Sequence, residues 1–227
     1  TVESGRTDGG MFILSEGLYN QNNSTLSYLD FKSGNIIEWK AADGGYSKDL
    51  FSHVNGRRLG DTANDMLLWG GKLYIAVSVS SCIEVIDAHT GTSLAHIPMF
   101  EGPVSRQPRN LAGYRDKVYV CNYDGTVARL DTAQLLIDGF VRAGRNPDGV
   151  AQAAGKLYVS NSGGLDFANP DSTVSVIDLN TFTETRKINV RQNPGRIIAD
   201  GQGRVLVVTR GVFNYDIMDY DSRLHVI

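Results

Sequence analysis

Short runs of β-branched and aromatic residues, broken by Gly, Asp and Asn, set the pattern of this chain. In the run 83–87, Ile83 and Val85 alternate with Glu84 and Ile86; in 174–178, Val174 and Val176 alternate with Ser175 and Ile177. A period of two with β-branched enrichment predicts strands. One phrase recurs ahead of such runs: Gly71-Lys72-Leu73-Tyr74-Ile75, Asp116-Lys117-Val118-Tyr119-Val120, Gly155-Lys156-Leu157-Tyr158-Val159 and Gly203-Arg204-Val205-Leu206-Val207. The first three are each followed by a second run that ends on an aspartate, Asp87, Asp131 or Asp178. The basic residues at 72, 117, 156 and 204 recur every 39 to 48 residues. A repeat of about 40 to 50 residues made of short strands predicts an all-β chain, a β-propeller of four-stranded antiparallel blades.

Each repeat divides into four pieces. The inner strand is rich in small residues, as in Asn110-Leu111-Ala112-Gly113, Gly149-Val150-Ala151-Gln152-Ala153 and Arg196-Ile197-Ile198-Ala199. A tight turn leads to the second strand, and the third ends on its aspartate. The turns Asp30-Phe31-Lys32-Ser33-Gly34, Asp87-Ala88-His89-Thr90-Gly91 and Asp178-Leu179-Asn180-Thr181 follow. Asp there can bond its own backbone two residues on, and Gly supplies positive φ. The runs 93–97 and 184–190 read as outer strands.

At the start, Phe12-Ile13-Leu14 falls on the second strand and 26–30 on the third; at the end, Leu224-His225-Val226-Ile227 matches the third. The count is one blade without its inner strand, three complete blades and one without its outer strand. Residues 1–10 read as a flexible segment and 11–227 as the propeller. Open strand edges are avoided in soluble proteins. The expectation is therefore a piece of a ring of six to eight blades, with a five-bladed ring closed in another way as the alternative.

Composition narrows the function classes. A net charge of −3 with 21% charged residues carries no electrostatic footprint for nucleic acid. No apolar run is long enough to cross a bilayer. The opening Thr1-Val2-Glu3-Ser4-Gly5-Arg6 does not read as a signal peptide. Cys82 and Cys121 fall in strand-like runs of different repeats and read as two buried free thiols.

Antiparallel blades sort the connections onto two ends. The turns between strands one and two, and three and four, are short. The loops between strands two and three, and between blades, are long and varied. The former group of long loops spans 16–24, 161–172 and 210–222, and holds Tyr19, Phe167, Phe213, Tyr215 and Tyr220. Blade joints carry Arg106, Arg109 and Asn110; Arg145, Asn146 and Asp148; Arg191, Asn193 and Arg196, with Pro108, Pro147 and Pro194 recurring in each. Aromatic rings with Arg and Asn are the composition of a binding face. The candidate ligand-binding residues are Tyr19, Arg106, Arg109, Asn110, Tyr123, Arg145, Asn146, Phe167, Arg191, Asn193, Phe213 and Tyr215. A plainer reading stands beside this one: each Pro stiffens a joint, each Arg bonds a neighbouring blade, and the aromatics pack within their own loops.

Other chemistry has less support. Asp216, Asp219 and Asp221 match no EF-hand spacing. His53, His89, His96 and His225 are scattered, with no zinc motif, nucleophile elbow or phosphate loop. Asn64, Asn110 and Asp148 enter successive inner strands, where a ring of oxygens would suit a metal-dependent, lactonase-like hydrolase at the axial mouth. Backbone bonding at a strand start is the alternative. Gly60-Asp61-Thr62-Ala63-Asn64-Asp65 reads as a specialised loop to which chemistry alone assigns no job.

Lys72-Leu73-Tyr74-Ile75-Ala76-Val77, Ile83-Glu84-Val85-Ile86-Asp87 with Thr90-Gly91, and Asn146-Pro147-Asp148-Gly149 resemble the YVTN or YncE-like propeller family. Phe12-Ile13-Leu14-Ser15-Glu16-Gly17, Asn23-Ser24-Thr25-Leu26-Ser27-Tyr28 and Leu59-Gly60-Asp61-Thr62-Ala63-Asn64-Asp65-Met66 are similar to its cell-envelope branch from Bacteroides-type bacteria, the surface-layer proteins. The resemblance implies a seven-bladed ring, a periplasmic or lipid-anchored setting and no catalysis. Some members of that branch are vitamin B12-capture lipoproteins paired with outer-membrane transporters. The expected ligand is then a corrinoid or a glycan, or the expected partner is such a transporter, with no bound cofactor and no nucleic acid.

Overall fold

A computed structural model of the chain describes residues 9–40, 44–164, 166, 168–216 and 218–227. The chain divides into two compact units, Thr1–Ser105 and Arg106–Ile227. Small antiparallel sheets build both, and the described residues form five blades of a β-propeller, two in the first unit and three in the second.

In the first unit, blade 1 pairs Gly10–Ser15, Thr25–Asp30 and Asn35–Ile36 in order. Blade 2 is complete: Ala63–Trp69, Lys72–Val77, Cys82–Asp87 and Ser93–Pro98. A small hairpin (Trp39–Lys40 with Tyr46–Ser47) and one helix, Leu50–Asn55, lie between them in sequence. The strand pattern did not predict this helix. Asp49 caps its start by accepting from the Ser52 N–H, and Gly56 ends it at φ 67°. Leu50 and Phe51 hold it in the core with Leu26, Leu59, Leu73 and Ile75. Glu84 is another departure. It is fully buried on the third strand of blade 2, where Arg57, Ser93 and His96 bond its two oxygens.

The second unit holds two complete blades and one of three strands. Blade 3 is Pro108–Tyr114, Lys117–Asn122, Thr126–Asp131 and Leu136–Arg142; blade 4 is Pro147–Ala153, Lys156–Asn161, Thr173–Asp178 and Thr183–Asn189. Blade 5 is Pro194–Ala199, Val205–Thr209 and Arg223–Val226, with a hairpin (Phe213–Asn214, Asp219–Tyr220) in the loop between its second and third strands. Buried residues of one blade pack on the next. Ala112, Tyr119 and Cys121 meet Val150, Leu157 and Val159, while Ala151, Ala153 and Val174 meet Ile197, Val205 and Val207. The small inner-strand residues permit this approach. A Cβ on Gly149 would sit 2.7 Å from the Gly195 carbonyl.

Register explains the recurring basic residue and aspartate. Lys72 lies opposite Asp87, Lys117 opposite Asp131, and Lys156 opposite Asp178. The turns form as expected from Asp. Asp87 accepts from the N–H groups of His89 and Thr90, Asp131 from Ala133 and Gln134, and Asp178 from Asn180 and Thr181. Both cysteines are buried thiols outside any disulfide, and burial pushes the Cys82 thiol up to about 12, with Glu84 adding to the shift.

Candidate ligand-binding site

The joints of the second unit share one construction. Gln107, Asn146 and Asn193, each just before a proline, have φ of 53°, 48° and 54°. Residues before proline favour extended backbone, and positive φ is uncommon outside Gly, with Asn the better-tolerated exception. Each carbonyl accepts from the first N–H beyond its blade's second strand: Tyr123 at 2.9 Å, Ser162 at 3.1 Å and Arg210 at 3.0 Å. A register shift follows each proline, between Pro108 and Asn110, Pro147 and Gly149, and Pro194 and Ile197. A bulge of this kind re-aims the side chain at its start.

Two columns of the repeat thus converge. One holds the residue after the proline: Arg109, Asp148 and Gly195. The other holds the residue after the second strand: Tyr123, Ser162 and Arg210. All six line one cavity of about 310 Å³, with Gly164, Asn193, Pro194 and Tyr220. The same repeat position is occupied by different chemistry in each blade.

The contacts inside are specific. Arg109 Nε donates to Asp148 Oδ1 at 2.9 Å, and its guanidinium lies 5.3 Å from the centre of the Tyr123 ring. Burial pushes the Tyr123 phenol up from its usual value; Arg109 and a hydrogen bond with Ser162 pull against this, and Asp148 adds to it. Ser162 Oγ donates to the Asn146 carbonyl at 2.8 Å and accepts from the Gly164 N–H at 3.1 Å. Asn193 Nδ2 donates to the Gly211 carbonyl at 2.7 Å. Arg210 donates to the Tyr220 hydroxyl at 2.9 Å, with its guanidinium 4.3 Å from that ring's centre. Phe213 braces Tyr220 and Tyr215 edge-on, at 5.4 and 5.1 Å between ring centres.

Of the residues singled out from sequence, Arg109, Tyr123 and Asn193 line the cavity; Phe213 packs edge-on against the lining residue Tyr220, and the exposed Tyr215 packs against Phe213. Arg106 is buried, pairs with Asp124 at 2.6 Å and lies over Phe140. Asn110 accepts from the Val150 N–H at 3.4 Å, a bond between neighbouring blades. Asn146 donates to the Tyr123 carbonyl at 3.0 Å. Arg145 bonds Asp166 and the Asn169 carbonyl, and Arg191 pairs with Asp221. Tyr19 belongs to the first unit and is exposed. Phe167 lies outside the described residues.

Sequence reasoning missed Ser162, Gly164, Gly195 and Arg210 as lining. Setting the repeats in register and reading the two columns would have found all but Gly164. The loop 60–65 also gains a role. Asp61 accepts from the N–H groups of Asn20 and Asn22 and from the Thr62 hydroxyl, and so pins the loop that carries Tyr19. Burial alone would raise the Asp61 carboxyl; those three hydrogen bonds outweigh it and leave the group below its usual value. Among the described residues, no three of His, Cys, Asp or Glu cluster as a metal site, and no helix is long and apolar enough to cross a membrane.

The fold and this cavity define the chain as a β-propeller with a polar cleft at its blade joints. Solved propellers resemble it in fold. The WD40 β-propeller domain of Doa1 superposes with a TM-score of 0.60 at 12% identity, over 88% of this chain and 57% of that one. Hydrazine synthase from Kuenenia stuttgartiensis gives 0.56 at 19% identity, over 70% and 46%. Glutaminyl cyclase from Myxococcus xanthus gives 0.50 at 16% identity, over 97% and 88%. The chain spans about half the length of the first two. No family model matches the sequence, and no curated protein matches it.

Proposed function

We propose that this chain is a non-catalytic, ligand-binding β-propeller of the cell envelope, and that its three-blade unit takes a small polar molecule in the cleft between Arg109, Tyr123, Asp148 and Arg210. One observation carries the reading. Six residues from two repeat columns meet in one cleft, and they differ from blade to blade while the joint that presents them is constant. A column kept for structure alone would not need a cation, an anion, a phenol and a hydroxyl at equivalent places. Fold does not choose between activities, since propellers serve enzymes and WD40 domains alike.

The volume of about 310 Å³ is at the lower end for small-molecule sites and favours a compact ligand over a corrinoid. The hydrolase alternative asks for oxygens converging on a metal. Asn110 and Asp148, two residues it would use, are instead engaged by the Val150 N–H and by Arg109. The envelope setting, and an outer-membrane transporter as partner, rest on the resemblance of the repeats to surface-layer propellers.

The test is a thermal-shift panel on this chain with neutral monosaccharides, uronic acids, amino acids and cobalamin, repeated with Gly195→Leu. A Cβ at Gly195 meets nothing closer than Asp148 Oδ2 at 3.9 Å, so the leucine fills the cleft with its first atom unobstructed. A small compound should raise the melting temperature of the native chain and not of the variant, and mass spectrometry should recover it unchanged. Stabilisation by cobalamin alone, equal binding to the variant, or turnover of the bound compound would overturn the proposal.

A further inference from the structure

The charge balance of the cleft narrows its ligand, an inference that rests on the binding reading above. Arg109 and Asp148 neutralise one another at 2.9 Å. Arg210 forms no ion pair among the described residues; its fixed partners are the hydroxyl and ring of Tyr220. The cleft therefore presents one uncompensated cation, held in place before any ligand arrives. A guanidinium oriented in this way still offers a planar fork of donors, the geometry that suits a carboxylate.

The remaining surface asks for hydroxyl groups. Asp148 spends Oδ1 on Arg109, and Oδ2 faces the open side left by Gly195. Asn193 donates its amide to the Gly211 carbonyl, which orients its own oxygen as an acceptor. An aromatic or aliphatic acid would bury these acceptors without partners, at a cost in affinity. An ammonium group would find Asp148 already paired. Tyr123 and Tyr220 supply ring surface on which a pyranose can lie.

We propose that the cleft binds a monoanionic, polyhydroxylated carboxylate of monosaccharide size, a uronic acid or its like, with the carboxylate on Arg210 and ring hydroxyls on Asp148 and Asn193. Isothermal titration of the full chain with sodium D-glucuronate, D-glucose, benzoate and L-glutamate tests it. Glucuronate should bind at least tenfold more tightly than each of the others, and less tightly as salt is raised. Arg210→Met, an exposed position that leaves folding intact by circular dichroism, should bring glucuronate down to the affinity of glucose. Glucose binding as well as glucuronate, or an Arg210→Met variant that keeps the preference, overturns the anion assignment and leaves the cleft as a binding site. Tighter binding of glutamate or benzoate overturns the hydroxylated class. Binding that survives in Gly195→Leu, or no binding of any of the four, overturns the assignment of this ligand to this cleft, and the wider panel above then decides the cleft reading separately.

Discussion

The two ends of the blades in the second unit use the same repeat in opposite ways. At the turn end of blades 3 and 4, each column repeats its chemistry. A lysine opens the second strand, an aspartate closes the third opposite it, and the aspartate's oxygens bond the next turn. In blade 5 the second strand opens on Val205 and the third ends on Val226. In blade 3 this closes on itself, with Lys117 2.5 Å from Asp131 and 2.8 Å from Asp138, and Arg129 2.5 Å from Asp138. At the joint end the backbone repeats and the side chains do not: Arg109, Asp148 and Gly195 stand in one column, and Tyr123, Ser162 and Arg210 in the other. Charges at the turn end are spent on the scaffold. Those at the joint end leave Arg210, among the described residues, bonded to the Tyr220 hydroxyl and in no ion pair. On the proposed reading, the columns that agree in chemistry build the frame, and those that differ on a constant backbone meet the ligand.

The largest break expected in this contrast is Gly149→Val. The residue lies at the joint end yet serves the frame, because a side chain there meets the Gly195 carbonyl and Ile197 at 2.7 and 2.9 Å. Overpacking of this kind costs about 2–3 kcal/mol, and a melting curve should fall by roughly 5–10 °C for a domain of this size. Asp178→Ala removes the acceptor for the Asn180 and Thr181 N–H groups. It should cost about 1 kcal/mol, read by urea denaturation, and leave ligand binding unchanged. Arg210→Met should alter stability by less than about 0.5 kcal/mol while removing ligand preference, the mirror image of Asp178→Ala.

The smallest effect is a pH dependence at the turn end. Lys117, foremost, holds the Asp131 carboxyl down to about 2 in the folded chain, against an unfolded value of 3.8. Its stabilising contribution is complete above about pH 4 and is lost as pH falls towards 2. Asp131 in turn raises the Lys117 ammonium, so that side of the pair is lost only as pH rises beyond the ordinary lysine value of 10.5. The difference in melting temperature between the native chain and Lys117→Met should persist from pH 5 to 8 and shrink steadily as pH falls from 4 towards 2. A difference that stays unchanged from pH 5 down to pH 2 would show that the pair does not titrate as a unit.

Much of the frame was legible because its signals are local and repeated. Period-two runs and the lysine-to-aspartate spacing placed the blades. The Asx turns followed from residue type, and so did the two buried thiols. The helix Leu50–Asn55 was not legible, since six residues make under two turns and show no helical period. Glu84 read as the polar side of an alternating strand, and only the fold brings Arg57, Ser93 and His96 around it. In the cleft, Arg109, Tyr123 and Asn193 stood out as residue types that bind. Ser162 and Gly195 have no such look singly, and Arg210 stood only at the edge of the loop 210–222; the meaning of all three lies in sharing a column with Arg109, Asp148 and Tyr123. Arg106 illustrates the converse. It precedes the Gln107–Pro108 joint, and it pairs with Asp124 rather than lining the cleft.

The most direct test follows backbone amides by NMR while sodium D-glucuronate is added to the native chain. The account predicts that the largest shifts fall on Tyr123, Ser162, Gly195 and Arg210, with Lys117, Asp131 and Asp178 unmoved. Shifts concentrated at the turn end, or spread without preference for the joint columns, would contradict it.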